Sequence, residues 1–460
     1  MATEVNGQLI NERLAGTVFS GVSIDSRTVR SGQLFIAVRG ESDDGHKYIG
    51  DALAKGCAGI MVNADFARRE ELPENVPIVV VDDTQQAMHR LARCYRDELK
   101  ALFIAVTGSN GKTTTKEIIF SIIKSRVEDV YRSPGNFNNL YGLPLAIFAM
   151  PCDARYGVFE LGISVKGEMA RLVDIARPDM AVITNVGPTH LETLETVENV
   201  AEEKFELVDA MNSEQPVLLN ADDAGIMKAA GRRKRRFFTF GIDSEADYTA
   251  RRVGQTPEGY PVIKIDDAEV VLTLFGDYQA YNVLAGYAVA KILGLEINPA
   301  DLKNIKYDFA QYRGEIEYIN GLTVIADCYN ANPVSMKSGL RSYRSYINNS
   351  HKSGSTVIVG DMLELGDNSE VYHAEIGRLL AELDFDRVIT VGPLSKSMYD
   401  AAVENGFGET RIKHFADANS AGEYLVSNIE RGGIIYLKAS RGIGLEKIIT
   451  LLKGTAFRQN

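Results

Sequence analysis

The sequence predicts an α/β protein of three domains built on parallel, doubly wound sheets. Three observations carry this. The chain has 460 residues, more than one hydrophobic core organises, and such a length suggests about three domains. Short apolar runs of strand length alternate with segments of helical apolar spacing. One strand–helix junction carries a glycine-rich loop ending in lysine, TGSNGKTTT at 107–115. The expected divisions are a small N-terminal α/β domain at 1–98, a central parallel-sheet domain at 99–313 and a C-terminal α/β domain at 314–460.

In the first segment LFIAVRG (34–40), AGIMV (58–62) and VPIVVVDD (76–83) read as short strands, and 85–98 as a helix. LFIAV (102–106) is a continuous apolar run, the pattern of a buried parallel strand. Beyond the loop, Ile118, Ile119, Ile122, Ile123 and Val127 recur at helical spacing. YGVFE (156–160), MAVIT (180–184) and PVLL (216–219) continue the alternation. A more β-rich, Gly-punctuated stretch runs from 236 to 277, and a helix near 281–293 ends at Gly294. In the third segment the strands are LTVIAD (322–327), STVIVG (355–360), RVITVG (387–392) and IIYLKAS (434–440). No repeat or low-complexity segment interrupts the chain.

Strand, glycine-rich loop, lysine and helix together make a phosphate-binding arrangement. Backbone N–H groups and the helix N-terminus face the anion, and Lys112 adds a point charge. Thr113 offers a hydroxyl to a Mg²⁺ held between phosphates. ATP is the expected ligand. The loop is not the common GxxxxGK[ST] form, because Val106 stands where that pattern needs glycine.

In doubly wound sheets ligands gather beyond the carboxyl ends of the strands. Lys112, Glu160, Asn185 and His190 fall there in the central segment, and Asp327, Asp361 and Ser440 in the third. The division predicts one site in a cleft between two α/β domains. Each residue also has a plainer reading. Glu160 could be a helix N-terminal carboxylate and His190 a structural histidine. Lys204, in the acidic segment VAEEKFELV, could be a solvated lysine paired with a nearby glutamate.

Composition narrows the partners. Fifty basic against 62 acidic side chains give a net charge of −12, which argues against nucleic acid or an anionic membrane as partner. The one dense basic run, RRKRR at 232–236, reads as a solvated loop. Cys57, Cys94, Cys152 and Cys328 are widely spaced with no CxxC, as in reduced thiols of a cytosolic protein. MATEVNGQLI has neither a basic n-region nor an apolar h-region, so no export signal is expected. The short GLPLAIFAM run carries Pro144 and cannot span a membrane.

TGSNGKTTT resembles the loop of the Mur ligases, the ATP-dependent amide-forming enzymes of peptidoglycan precursor synthesis. The resemblance covers nearly the whole chain. The stretch from Gly21 to Val62 is similar to the family's uridine-nucleotide-binding domain. SPGNFNNLYGLPL (133–145), ELGISVKGEM, TNVGPTHLE, DCYNANPVSMKSGL (327–340), VGDMLELGDNSEVYH (359–373) and LKASRGIGLEKI (437–448) look like the member that adds the last two residues of the peptide. The DNPR-type motif of the preceding ligase is absent.

The resemblance implies a fold of three parts: an N-terminal uridine-nucleotide domain, a central P-loop ATPase domain and a C-terminal Rossmann-like domain. It implies that Thr107, Gly108, Ser109, Asn110, Gly111, Lys112, Thr113 and Thr114 bind ATP. Asn282 resembles the adenine-binding Asn, Arg313 the phosphate-contacting Arg and Asp327 the ribose-binding carboxylate. Thr113, Glu160 and His190 would hold Mg²⁺, joined by Lys204 if it is carbamylated. Lys112, Glu160, His190, Lys204 and Arg313 form the catalytic group. Ser26, Arg27 and His46 would contact the uridine diphosphate half. Asn136, Asn138, Asn139, Asn330, Asn332 and Ser440 would orient the peptide ends, with turn formation the alternative for Asn136 and Asn332. Tyr281 stands where the family often has His, and Ala285 where it has a second Asn.

The implied reaction couples ATP to amide formation through an acyl phosphate. Its substrates would be a UDP-MurNAc-tripeptide and D-Ala-D-Ala. Because Lys112 and Asp327 fall in different segments, the third segment would have to close over the nucleotide. The expected enzyme is a cytoplasmic monomer. Two alternatives stay open: a related Mur-type ligase adding another amino acid or peptide, and a nucleotide-binding protein without ligase activity.

Overall fold

The structure, a computed structural model, describes residues 1–40, 43–309, 311–350, 354–429 and 431–455. Three sheets follow one another along the chain. The first has five strands in the order Gln8–Ile10, Ile78–Val81, Gly59–Asn63, Leu34–Ile36 and Val22–Ser23. Its neighbours are parallel except for the first pair. The helix Thr84–Glu98 then leads to the central sheet. Arg96 pins that helix in place. Its buried guanidinium donates to the carbonyls of Ala176 and Arg177 and to the Asp179 carboxylate, and lies 3.9 Å from the Phe103 ring centroid.

The central sheet has nine strands. Leu102–Thr107 lies between Tyr156–Glu160 and Met180–Ile183, all parallel. Side chains alternate between faces with the two-residue period of a strand. Phe103 and Ala105 enter one core layer, and Ile104 and Val106 the other. Both layers are helix-covered, which is why the run is apolar throughout. The helix Gln279–Ile292 is buried on nearly all sides and packs against the loop helix Lys112–Lys124. A Cβ at Gly286 would stand 2.6 Å from the Ile118 side chain, so glycine permits that approach.

The third sheet has six strands in the order Glu315–Ile319, Leu322–Ala326, Ile434–Lys438, Ser355–Gly360, Arg387–Val391 and Ile412–Phe415. All but the first pair are parallel. Val357 and Val359 face one core layer and Ile358 the other.

The sheets are thus parallel at their centres, as expected, but antiparallel at some edges. The β-rich stretch after 236 contributes Phe238–Gly241, parallel to both of its neighbours. Tyr248–Gln255, Pro261–Ile265 and Ala268–Val271 then form an antiparallel extension. Glu315–Ile319, an unexpected strand, pairs with Leu322–Ala326 across Asn320 and Gly321. Those two residues have φ of 51° and 86°, the left-handed pair that a tight hairpin requires.

The basic run 232–236 is partly tied down by its own surroundings. Arg232 and Arg233 pair with Glu202, Arg233 also with Asp209. Arg235 donates to the carbonyls of Val208 and Gln215. It is the solvated loop expected.

Candidate active site between two sheets

A cleft of about 740 Å³ opens between the central and C-terminal sheets, at the carboxyl ends of their middle strands. The loop after Leu102–Thr107 forms its floor. Gly111 caps the helix Lys112–Lys124 at φ 78°, and a Cβ there would lie 2.6 Å from Asn282 Oδ1. Glycine is required on both counts. Ser109, Asn110, Gly111, Lys112, Thr113 and Thr114 line the cleft. Thr107 does not: it is fully buried, and its hydroxyl finds no hydrogen-bond partner among the described residues.

Lys112 Nζ rests on the Gly108 carbonyl at 2.8 Å. Burial pulls its ammonium below the ordinary lysine range, Glu160 opposes the shift and Arg313 adds to it. A polyphosphate would reverse that by supplying negative charge. Arg313 lines the same cleft from the other sheet, its guanidinium stacked 3.9 Å from the Tyr329 centroid. Its Nε is buried with no hydrogen-bond partner among the described residues, a donor ready for an anion's oxygen.

Glu160 ends the strand Tyr156–Glu160 and is 2% exposed. Thr113 Oγ1 donates to one of its oxygens at 2.6 Å and Asn138 Nδ2 to the other at 2.7 Å. The loop bearing Asn138 is held from behind by Lys116, a wholly buried lysine. Its Nζ donates to the carbonyls of Ser133 and Gly135 at 2.7 and 2.8 Å and pairs with Glu117. Lys116 was not singled out by the sequence.

His190 begins the turn after the strand Met180–Ile183, with φ 55°. Its Nδ1 lies 2.6 Å from an oxygen of Glu364, which comes from the C-terminal sheet. This hydrogen bond holds the Glu364 carboxyl below its ordinary range. A carboxylate only accepts, so this contact calls for hydrogen on Nδ1.

Lys204 departs from the plainer reading. It is 2% exposed, and neither a hydrogen bond nor an ion pair reaches it among the described residues. The neighbouring Glu203 instead accepts the N–H groups of Gly167 and Met169. Burial, with the Lys112 charge behind it, drives the Lys204 amine well below the ordinary lysine range.

From the C-terminal sheet, Asp327 faces the cleft. One of its oxygens accepts from Tyr278, Tyr436 and Lys438, at 3.1, 2.8 and 2.9 Å. Asn332 and Asn110 exchange two amide hydrogen bonds, 2.6 and 3.2 Å, directly between the sheets. Asn332 also accepts from Ser335 N, so it caps the helix Pro333–Ser350 as well. Asn139 likewise accepts from Tyr141 and Gly142 at the start of a helix. Asn136 and Asn330 are exposed on the cleft wall.

Other expected residues sit differently. Asn282 spends its amide inside the protein, accepting from Thr115 and donating to Gln279. One N–H of that amide is left for a base. Ser440 is buried and stitches Leu363 to Ala331 rather than lining the cleft. His46 is buried with both ring nitrogens engaged, by Asp44 and by the Asn63 N–H, so it shapes its loop. Asp361 turns away and accepts from Ser395 N. Ser26 and Arg27 lie outside the cleft, with Ser26 buried and Arg27 exposed and paired to Asp25.

Among the described residues, no three His, Cys, Asp or Glu side chains form a self-sufficient metal site. The donors present are a hydroxyl, one carboxylate and one imidazole. Mg²⁺ is usually bound by one or two carboxylates together with substrate phosphates, and the set fits that use.

Three family models match the chain. The Mur ligase family catalytic domain matches 18–96, the Mur ligase middle domain 106–290 and the Mur ligase glutamate ligase domain 311–441. A UDP-N-acetylmuramoyl-tripeptide–D-alanyl-D-alanine ligase of Bacillus subtilis (strain 168) is 34% identical, covering 98% of this chain and 96% of its own. The ligase of that name from Treponema pallidum is 31% identical over 98% and 97%. Among solved structures, MurF from Acinetobacter baumannii superposes with a TM-score of 0.85 at 27% identity, covering 98% and 97%. The Thermotoga maritima MurF ligase in complex with ADP gives 0.80 at 27%, covering 94% and 97%.

The loop that presents Glu364 yields a pH prediction. His373 is fully buried, its Nε2 accepting from Met362 N and its Nδ1–H donating to the Ser369 carbonyl. A proton on Nε2 would face an N–H, and burial already lowers the His373 pKa. The folded chain therefore binds fewer protons there than the unfolded one. Stability is full above the unfolded histidine value of about 6.5 and falls below it, by at most about 1.4 kcal/mol per pH unit. His373→Gln keeps an acceptor and a donor without the titration. Denaturant unfolding at about pH 7.5 and 5.5 should show a smaller loss for the variant than for the wild type. Equal losses would refute the assignment.

Proposed function

The chain belongs to the Mur ligase family, and from that premise we propose that its cleft joins D-Ala-D-Ala to a UDP-N-acetylmuramoyl-tripeptide at the expense of ATP. The product is the UDP-MurNAc-pentapeptide of peptidoglycan synthesis. The observation that carries this reading is the convergence of Lys112, Arg313 and Asp327, from two sheets, on one cleft. The reading keeps 1–98 for the uridine-nucleotide part, 99–313 for the ATP part and 314–460 for the part that closes over it. Free cysteines, all four of them, agree with work in the cytoplasm. Both walls of the cleft come from one chain, so a monomer suffices.

Amide formation from a carboxylate in water is uphill, so the carboxylate must first be activated. Its oxygen attacks the γ-phosphorus of ATP, ADP leaves, and an acyl phosphate forms. The amine of D-Ala-D-Ala then attacks the acyl carbon. Phosphate departs with the original carboxylate oxygen, and the nitrogen loses a proton. Lys112 and Arg313 hold the charge on the moving phosphoryl group throughout. The Asn136–Asn139 loop and the 330–332 loop flank the space where the two peptide ends meet. Mg²⁺, held by Thr113, Glu160, His190 and a carbamylated Lys204, would neutralise phosphate charge when bound.

ADP and phosphate should form rapidly only when the UDP-linked tripeptide and D-Ala-D-Ala are both present. Equal turnover with free L-amino acids would instead favour a related ligase with another acceptor.

Lys204 gives a sharper test. A buried amine without a partner, its charged form disfavoured by burial, is suited to add CO₂ with release of one proton. The resulting carbamate offers the hard oxygens Mg²⁺ prefers. Lys204→Ala should therefore lose most activity, and acetate should restore part of it. Acetate should do nothing for Lys112→Ala, where a cation is missing. A fully active Lys204→Ala enzyme would rule the carbamate out.

A further inference from the structure

Glu364 has no part in the roles described so far, yet its surroundings are unusual. It sits on the C-terminal sheet, in the loop after the strand Ser355–Gly360, and reaches across the cleft to His190 on the central sheet. Two contacts join the same pair of turns. His190 Nδ1 meets the Glu364 carboxylate at 2.6 Å, and Leu191 N donates to the Glu364 carbonyl at 2.9 Å. His190 and Glu364 both have left-handed backbones, φ 55° and 65°. Non-glycine residues seldom adopt that conformation, and it persists where surrounding contacts over-determine it. Gly366 follows at φ 58°, and a Cβ there would stand 3.3 Å from Glu192 N.

The loop is also fixed from behind. Met362 N donates to His373 Nε2 and Leu363 N to Ser440 Oγ. Glu364 is thus presented by a rigid turn, although its own side chain is 58% exposed. An exposed ion pair by itself contributes little to stability. Two strained turns held against each other around such a pair call for a role other than stability.

We propose that Glu364 is a positioning residue, which fixes the His190 imidazole with hydrogen on Nδ1 and Nε2 free toward the cleft when the two sheets are docked. A carboxylate behind a histidine commonly orients the ring and sets its tautomer for metal binding. Here that carboxylate comes from the opposite sheet. The metal-binding form of His190 is therefore completed only by docking of the sheets, which ties metal capture to closure. The metal part of this inference rests on the ligase reading; the tautomer part does not.

The test uses the full chain with nitrogen-15-labelled histidine, His190 being identified by loss of its signals in His190→Gln. In the ligand-free wild type the ring nitrogens should report hydrogen on Nδ1. Glu364→Ala should shift His190 toward the Nε2–H tautomer, with Glu364→Gln, which still offers an acceptor oxygen, in between. The Mg²⁺ concentration for half-maximal ATP turnover should rise about 10- to 100-fold in Glu364→Ala, with the KM for the UDP-linked tripeptide little changed. An unaltered tautomer in Glu364→Ala overturns the proposal, whatever the activity. A shifted tautomer with an unaltered Mg²⁺ requirement overturns its link to metal capture. If the wild type shows the Nδ1–H tautomer but no ligase turnover, the functional reading fails and the positioning role stands.

Discussion

Glu160 is the fixed point of the cleft. Thr113 reaches one of its oxygens and Asn138 the other. Those two bonds tie three elements together: the end of a central strand, the first turn of the phosphate-loop helix and the asparagine loop. Gly162 closes the arrangement, for a Cβ there would stand 2.8 Å from the Asn138 amide. Lys116 supports the same loop from the protein interior through two backbone carbonyls. A buried ammonium is costly unless acceptors take up its hydrogens, and for Lys116 these carbonyls and Glu117 do so. The carboxylate, the hydroxyl and the amide thus have set positions before any ligand arrives, the condition under which electrostatic stabilisation costs no rearrangement during reaction.

The second sheet completes the site across the gap. Asn110–Asn332, His190–Glu364 and Tyr278–Asp327 are side-chain contacts between residues before and after position 313. These three are polar, and the wholly buried Phe275 adds an apolar contact, its ring packing against Tyr346 and Tyr436 of the C-terminal core. The polar contacts orient the two sheets at the cleft, and Phe275 anchors its own segment to the C-terminal core. Arg313, at the border of the third segment, and Glu364, within it, act on Lys112 with opposite sign. The local balance of charge there depends on how far the sheets approach.

Much of this was legible in the sequence because the signals were strong and local. A buried parallel strand is apolar at every position, and 102–106 and 357–359 are so. TGSNGKT combines the glycine, lysine and hydroxyl that phosphate binding needs. What the sequence hid was of two kinds. Edge strands such as Glu315–Ile319 and Ile412–Phe415 are half polar and short, so periodicity was weak, although Asn320-Gly321 marked the first as a hairpin. Side-chain direction was the other. Asp361, Ser440 and His46 have the right chemistry, yet turn inward to satisfy backbone groups. Glu364 lies three residues beyond Asp361 and does reach His190 on the other sheet. A residue count along a loop cannot decide which of two carboxylates points outward.

The central claim is that these two sheets activate a carboxylate by moving the γ-phosphoryl group onto its oxygen. The most direct test is isotope transfer. The UDP-linked tripeptide is labelled with oxygen-18 in its reactive carboxylate and turned over with ATP and D-Ala-D-Ala, and the inorganic phosphate is analysed by mass. The account predicts one labelled oxygen in each phosphate released, because that oxygen bridged carbon and phosphorus in the acyl phosphate. Phosphate free of label, or label appearing in AMP, would contradict it.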